Sequence, residues 1–280
     1  MEFLQPDAWS EALQMKAAHP DATPIAGGTD VMVEINLDHR RPAAILDLTR
    51  VPELKEWGTV GGLLRIGAGV TYSRLIDELG DRLPGLGMAS RTVGSPQIRN
   101  RGTVGGNLGT ASPAGDAHPP LLAADAQIEL ASASGMRLVP AREFFVGPKR
   151  NALRGDELIA AFLVEPAAGP QQFSKVGTRN AMVIAVCSFA LDLDPARRRV
   201  GTGIGSAGPT PLRAAEAEKF IEGELDWERR SRPSDATLAR FGELVASAAR
   251  PIDDVRGTAD YRRHALAVMA RRCLSWAWAA

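Results

Sequence analysis

The sequence predicts an α+β protein, in which strands and helices are segregated along the chain instead of alternating as β-α-β units. After residue 170, three apolar, strand-like runs are followed by three helical patterns with no strand between them. The 280 residues, 45% of them hydrophobic, are enough for two modest domains that each bury a core. A doubly wound parallel sheet is therefore not expected.

The first residues predict a helix and then a glycine loop. Asp7 can cap a helix that runs to about Ala18, with Trp9, Ala12 and Leu13 on one face. A short strand then leads into a glycine loop at residues 23–30. Hairpin turns are predicted at residues 61–62 and 134–135. Further strands are predicted over residues 43–48, 54–57, 63–70, 128–131, 137–140 and 158–164.

Short helices separate these strands. Thr71 can cap a helix through Leu79, and a helical pattern over residues 83–101 is broken by Gly94 and Pro96. This pattern opens into a second glycine loop at residues 103–107. A turn at residues 112–116 and a helix beginning near Pro120 follow.

A proline- and glycine-rich stretch, residues 166–170, predicts a domain boundary that ends the first domain at residue 168. The second domain, residues 169–280, is predicted to begin with three strands and to end with three helices. The strands are residues 173–176, 183–193 and 200–206, and the helices are residues 211–221, 234–249 and 259–276.

Charge and targeting signals exclude several classes of function. Thirty-three basic residues balance 33 acidic ones, so no global field favours nucleic acid or an anionic membrane surface. The longest apolar run, residues 181–191, is far shorter than the roughly 20 residues that span a bilayer, and it predicts a buried strand. The N-terminal residues lack a secretion pattern, which predicts a cytoplasmic location.

The cysteines and histidines predict no metal site. Cys187 and Cys273 are the only cysteines, whereas an iron–sulfur cluster normally takes four. Neither belongs to a Cys-x-x-Cys pair, and the four histidines are scattered without helical metal-ligand spacing. Both cysteines are predicted to be buried as small hydrophobic residues.

Two glycine pairs are candidates for binding a pyrophosphate. Gly27–Gly28 and Gly105–Gly106 both lie beside threonine or asparagine. A pyrophosphate needs several backbone N–H groups pointing inward and no side chain in the way, which glycine permits. Two such loops can clamp one pyrophosphate. A single Gly-Gly pair is also typical of a tight turn, and that alternative stays open.

Two other glycine motifs predict no nucleotide site. Residues 59–62 repeat the sequence Thr-Val-Gly-Gly, but strand-like residues flank them directly, which indicates a hairpin turn. Residues 203–208 fit G-x-G-x-x-G. However, Arg197–Arg199 precede this motif and Pro209 and Pro211 follow it, so a strand-to-helix connection is expected instead of a dinucleotide-binding βαβ unit.

Three ordered motifs, at residues 26–30, 97–108 and 112–116, together resemble the FAD-binding medium subunit of molybdenum hydroxylases, a family that includes xanthine dehydrogenase and carbon monoxide dehydrogenase. The resemblance continues through residues 173–179 to 254–263. It implies a flavin domain like that of p-cresol methylhydroxylase, with subdomains at about residues 1–57 and 58–168. It also implies that the C-terminal domain contains a three-stranded antiparallel sheet with helices.

The resemblance implies specific FAD-binding residues. The loops at residues 24–31 and 103–107 are expected to hold the pyrophosphate, and Asp116 the ribose region, with Thr110 on the same segment. Val93, Ile159 and Lys175 are expected near the flavin. The full predicted site is Pro24, Ile25, Ala26, Gly27, Gly28, Thr29, Asp30, Val31, Val93, Thr103, Val104, Gly105, Gly106, Asn107, Thr110, Asp116, Ile159 and Lys175.

Four of these residues also have ordinary structural interpretations. Asp116 can cap the following helix, and Lys175 can be a solvated charge on a strand. Val93 and Ile159 can be core residues.

The resemblance also implies a function. FAD is expected without a covalent bond, and no residue of the chain is assigned a catalytic role, because the flavin itself carries the electrons. A molybdopterin-binding large subunit and an iron–sulfur small subunit are the expected partners, forming a hetero-oligomer that passes electrons to an external acceptor. A free-standing FAD-dependent reductase or oxidase, or a scaffold subunit without flavin, are the alternatives.

Overall fold

The computed structural model describes residues 1–280 and contains four β-sheets. The most N-terminal sheet is small and parallel, with the order β1-β3-β2. Its elements, with the two helices between them, are β1 (Glu2–Leu4), α1 (Trp9–Ala18), β2 (Thr23–Ile25), α2 (Val31–Asn36) and β3 (Ala44–Asp47).

A five-stranded antiparallel sheet, with the order β4-β5-β10-β6-β7, is the largest of the four sheets. Its elements and the segments between them are β4 (Trp57–Val60), β5 (Leu63–Gly67), α3 (Tyr72–Arg74), a π-helical turn (Leu75–Leu79), α4 (Pro84–Arg91), α5 (Pro96–Arg101), α6 (Val104–Thr110), α7 (His118–Ala123), β6 (Gln127–Ser132), β7 (Gly135–Pro140), α8 (Ala141–Phe144), the paired β8 (Phe145–Gly147) and β9 (Arg150–Asn151), and β10 (Leu158–Val164).

The C-terminal part contains a three-stranded antiparallel sheet, ordered β11-β12-β13, followed by three helices. No helix of the chain has the length and apolar character needed to cross a membrane. The elements are β11 (Gln171–Val176), β12 (Cys187–Asp194), β13 (Arg199–Gly205), α9 (Ala215–Glu224), α10 (Asp235–Ala248) and α11 (Ala259–Ala279).

Two large hydrophobic cores hold these parts together. One consists of buried residues between Ala12 and Val164, and the other of buried residues between Cys187 and Trp278. Cys187 and Cys273 are both fully buried and unpaired, as the sequence predicts.

The glycines of β13 explain the G-x-G-x-x-G pattern. A Cβ on Gly201 would lie 1.9 Å from the Ala123 carbonyl oxygen, and one on Gly203 would lie 2.0 Å from that of Pro119. These glycines therefore allow α7, which immediately precedes β6, to pack directly on the C-terminal sheet. Gly203 and Gly205 lie inside β13, in agreement with the predicted strand at residues 200–206, so only residues 206–208 of the motif belong to the predicted strand-to-helix connection.

Several predicted boundaries are wrong for local reasons. Asp7 does not cap α1, because the helix follows Ala8 and no side chain caps it. The predicted strand at residues 54–57 is displaced: Pro52 begins a 3₁₀ turn to Lys55, and β4 starts at Trp57. The hairpin turn between β4 and β5 is confirmed, with φ +58° at Gly61 and +86° at Gly62.

The apolar run at residues 181–191 is only partly a buried strand. β12 begins at Cys187, and the side chains of Met182 and Ile184 are each 54% exposed. Met182 has φ +50°, and the Arg179 guanidinium donates hydrogen bonds to its carbonyl oxygen. This turn prevents an earlier start of the strand. The predicted helix at residues 211–221 starts later, at Ala215, because Leu212 pairs with Ile204 of β13.

Candidate functional site

A cavity of about 810 Å³ lies where the first glycine loop, the α5–α6 junction and β10 come together. This volume lies within the range of roughly 300–1,000 Å³ that is typical of ligand cavities. All predicted site residues line it except Val104, which belongs to the core, and Lys175. Apolar Val93 and Ile159 line it as well, so the structure brings together residues that are up to 135 positions apart in sequence (159 − 24).

The first glycine loop connects β2 to α2 and lies directly against the end of α5. A Cβ on Gly27 would lie 2.0 Å from the Arg101 carbonyl oxygen, so only glycine allows this close approach. Gly28 has φ +75°, a conformation that side chains rarely adopt. The loop therefore forms part of the cavity wall in a conformation that requires its glycines, and it is not only a turn at the end of a strand.

The second glycine segment is helical, which corrects the prediction of a loop. Thr103 caps α6, and its hydroxyl oxygen accepts a hydrogen bond of 2.8 Å from the Gly106 N–H. Neither Gly105 nor Gly106 has a positive φ. A Cβ on Gly105 would lie 2.4 Å from the Ala68 carbonyl oxygen, so this glycine lets the first turn of α6 pack against the segment after β5.

A hydrogen bond connects the two glycine segments across the cavity. The Thr110 hydroxyl donates to Asp30 Oδ2 at 2.8 Å. Asp30 immediately precedes α2, and Thr110 is the last residue of α6. The bond therefore connects the start of α2 to the end of α6 at the wall of the cavity.

Asp116, which lines the cavity, forms a buried ion pair with Lys175. Lys175 Nζ lies 2.5 Å from Asp116 Oδ2 and also donates to the Thr92 carbonyl oxygen at 3.2 Å. The Lys175 side chain is only 7% exposed, so its interpretation as a solvated charge is wrong. Asp116 does not cap α7 either, because that helix follows Ala117 and no side chain caps it.

The electrostatics of this pair hold the Asp116 carboxylate in place. Burial raises the pKa of Asp116 above its ordinary value, and the adjacent Lys175 ammonium opposes that increase. The ammonium donates to Asp116 and Thr92, and Lys175 does not line the cavity. Lys175 therefore positions Asp116, which lines the cavity.

Three cavity-lining residues carry buried polar atoms without a partner in the protein. These atoms are Asn107 Oδ1, Asp116 Oδ1 and the Tyr72 hydroxyl oxygen. A buried polar atom without a partner is costly, so such atoms indicate a ligand with complementary groups. Ribose and ribityl hydroxyls can donate to the two acceptor oxygens. These unpaired polar atoms thus fit a dinucleotide flavin.

Sequence reasoning missed part of the cavity wall. Tyr72 comes from α3, and Met182, Val183 and Ile184 come from the turn before β12. None of them lies in a glycine motif. The apolar run at residues 181–191 was the only signal for the last three, and it also fits a strand. Basic side chains line the cavity too, which favours an anionic ligand: Arg40, Lys55, Arg74, Arg101 and Lys149.

His118, at the start of α7, lies outside the cavity and contacts a residue of its wall. It is fully buried, does not line the cavity, and its Nε2 lies 3.2 Å from the Asn107 carbonyl oxygen. Burial lowers the pKa of His118 to about 4, so the ring is neutral and can donate from Nε2 to that carbonyl.

Comparison with known proteins shows the family of the chain. The family described as the FAD binding domain in molybdopterin dehydrogenase matches residues 1–166, and the CO dehydrogenase flavoprotein C-terminal domain matches residues 172–277.

Individual relatives extend over nearly the whole chain. The chain is 32% identical to the xanthine dehydrogenase FAD-binding subunit of Escherichia coli, over 97% of this chain and 94% of that protein. It is 30% identical to the glyceraldehyde dehydrogenase medium chain of Sulfolobus acidocaldarius, over 96% and 95%.

A solved structure gives the same result for the fold. A chain of the reconstituted CO dehydrogenase from Oligotropha carboxidovorans superposes with a TM-score of 0.91 at 27% identity, covering 100% of this chain and 98% of that chain. The α+β fold with its C-terminal three-stranded sheet, and FAD as the cofactor, are confirmed. The chain belongs to the FAD-binding medium subunits of the molybdenum hydroxylase family.

Proposed function

We propose that this chain holds FAD non-covalently in the 810 Å³ cavity and relays electrons from an iron–sulfur cluster of a partner subunit to an external acceptor. The observation that carries the proposal is the convergence of both glycine segments, Asn107 and Asp116 on one cavity. When bound, the flavin supplies the electron chemistry, and the chain positions it.

In this proposal the diphosphate of FAD lies between the two glycine segments. Gly106 leaves the backbone open there, since a Cβ at this position would meet only Thr103 Oγ1, whereas Gly27 and Gly105 allow the backbone segments of the wall to approach each other closely. The basic side chains of the wall balance the two negative charges. Asp116, held by Lys175, presents its free oxygen to ribose hydroxyls. Val93 and Ile159 contribute apolar surface to the flavin side of the cavity.

The absence of a covalent bond rests on the residues of the two glycine segments. Neither segment contains a histidine, cysteine or tyrosine that can attach to the flavin ring. Burial raises the pKa of the Cys187 thiol to about 12 and that of Cys273 to about 11, so neither is a nucleophilic thiolate. Acid precipitation should release all flavin into the supernatant, and flavin remaining in the washed pellet would contradict this.

The proposed partners are a molybdopterin-binding large subunit and an iron–sulfur small subunit. The similar proteins are named for different substrates, xanthine and glyceraldehyde, which supports a substrate site located on another chain. The purified chain alone should be reduced by dithionite but should not oxidise a purine, an aldehyde or carbon monoxide. Adding the partner subunits should restore turnover from substrate to acceptor.

Each alternative has a distinct outcome in this experiment. Bleaching of the flavin by substrate in the isolated chain would favour a free-standing oxidoreductase. A chain that takes up no FAD would favour a scaffold subunit.

We also propose a division of the chain at residue 168, with subdomains at about 1–57 and 58–168. The separate hydrophobic cores and the separate N-terminal sheets support this division. Limited proteolysis should cut first within residues 166–170. The cytoplasmic location stays a prediction, which cell fractionation tests.

A further inference from the structure

Tyr72 is a polar residue of the cavity wall that neither the sequence motifs nor the proposed cofactor site uses. It is the first residue of α3, and its backbone N–H donates to the Gly102 carbonyl oxygen at 3.0 Å. Its side chain is 3% exposed, and its hydroxyl has no hydrogen-bond partner in the protein. The only other tyrosine, Tyr261, is on the surface of α11 and 48% exposed.

The position of Tyr72 is fixed by the junction of the two glycine segments. The Tyr72 backbone N–H donates a hydrogen bond to the Gly102 carbonyl oxygen, and a Cβ placed on Gly27 would lie 2.9 Å from the Gly102 Cα. Tyr72 therefore lies where the first glycine loop meets the α5–α6 connection. This is the part of the cavity in which the diphosphate is proposed to lie.

The surroundings of the hydroxyl make it a donor. Burial, followed by the carboxylates of Asp116 and Asp30, raises the pKa of Tyr72 well above its ordinary value, so the phenol stays protonated. Lys175 and Thr92 both donate to one carboxylate oxygen of Asp116. Thr110 donates to one carboxylate oxygen of Asp30. This protonated phenol lies in the wall of a ligand cavity and has no acceptor within the protein. We therefore expect it to donate to an acceptor on the ligand.

We propose that the Tyr72 hydroxyl donates a hydrogen bond to a diphosphate oxygen of FAD. The inference rests on the proposed FAD site and adds to it a side chain of α3 that contacts the cofactor. The diphosphate oxygens are anionic acceptors, and hydrogen bonds to charged groups are the stronger ones.

Replacement of Tyr72 by phenylalanine tests this proposal, because it removes one oxygen and keeps the ring. FAD affinity of the full-length apoprotein is measured by quenching of flavin fluorescence, and ADP affinity by displacement of FAD. Tyr72→Phe should weaken both FAD and ADP binding about tenfold, since a hydrogen bond to a charged group is lost. The melting temperature of the apoprotein should not fall, because an unpaired buried hydroxyl is removed. The matched control, Tyr261→Phe, should change none of these values.

Four results would overturn the assignment: unchanged FAD affinity in Tyr72→Phe, weaker FAD binding with unchanged ADP binding, an equal loss in Tyr261→Phe, or a lower apoprotein melting temperature that reveals a partner inside the protein. A wild-type chain that binds no FAD at all would contradict the proposed site itself. That result is distinct from failure of the Tyr72 proposal, in which wild-type affinity is retained.

Discussion

The sequence Thr-Val-Gly-Gly occurs twice in this chain, at residues 59–62 and 103–106, and the two copies fold differently. The first copy ends β4 and makes a hairpin turn with two positive φ angles. The second copy begins α6 and has none. Val60 is 55% exposed, whereas Val104 is 1% exposed.

This difference shows that tertiary surroundings decide the role of a short glycine motif. Cβ atoms placed on Gly61 and Gly62 would meet nothing, so these glycines are needed only for their backbone conformation. Gly105 is needed because Ala68 lies against it, and Gly106 because it faces the cavity. The same four residues thus form a turn in one place and part of a cofactor site in the other.

Gly105→Val should produce the largest effect of any substitution in the two copies. Its Cβ would lie 2.4 Å from the Ala68 carbonyl oxygen, so two backbone segments must separate. We expect a loss of unfolding free energy of about 3 kcal/mol in urea titrations, together with loss of FAD binding. Gly58→Val, at a strand position with open space and no positive φ, should change neither.

Gly106→Val should separate cofactor binding from folding. The only atom near a Cβ at this position is Thr103 Oγ1, at 3.1 Å, so a side chain extends into the cavity without disturbing the core. FAD should bind about 100-fold more weakly, equivalent to about 3 kcal/mol, while the apoprotein melting temperature stays close to that of the wild type.

Gly62→Ala is the counterpart in the hairpin and should show the opposite pattern. Its φ of +86° penalises any side chain, so about 1–2 kcal/mol of stability should be lost while FAD affinity is retained. If both variants lose flavin to the same extent, the two copies do not differ in the way described.

Acid should lower the free energy of unfolding through His118, whose ring lies against the Asn107 carbonyl next to the second copy. The pKa of His118 is lowered from 6.5 to about 4 in the folded chain, so the unfolded chain binds the extra proton first as pH falls. The stabilising contribution is complete above pH 6.5 and declines towards pH 4, by about 2 kcal/mol between pH 6.5 and 5. In His118→Gln this part of the stability–pH profile should become flatter, and an unchanged slope would exclude His118 as its source.

The smallest effect is expected from the threonines that begin the two copies. Thr103→Val removes the hydroxyl that accepts the Gly106 N–H, which should cost about 1 kcal/mol of unfolding free energy. Thr59 is exposed and makes no such bond, so Thr59→Val should be neutral. Equal costs at both positions would contradict capping as the distinguishing feature.

The fold could be predicted from the sequence where one local signal dominated. The hairpins at Gly61–Gly62 and Gly135, the break at Gly94 and the cap at Thr71 all depend on neighbouring residues only. The helical start at Thr103 could not be distinguished from a loop, because it depends on Ala68 and on the burial of Val104.

The site was predictable through its motifs but not through its contacts. The resemblance selected Lys175, yet only the folded chain reveals that its ammonium is bound to Asp116 and Thr92 instead of facing the cavity. Tyr72 and the turn at Met182 carry no motif at all. Their positions result from packing between segments that are distant in sequence.

Hydrogen exchange of the full-length chain with and without FAD tests the central claim most directly, because it reports on both copies in one experiment. FAD should slow amide exchange in residues 24–31 and in residues 103–110, and should leave residues 59–62 unchanged. Protection confined to one glycine segment, or equal protection of the hairpin, would contradict a cofactor held between the first glycine loop and the start of α6.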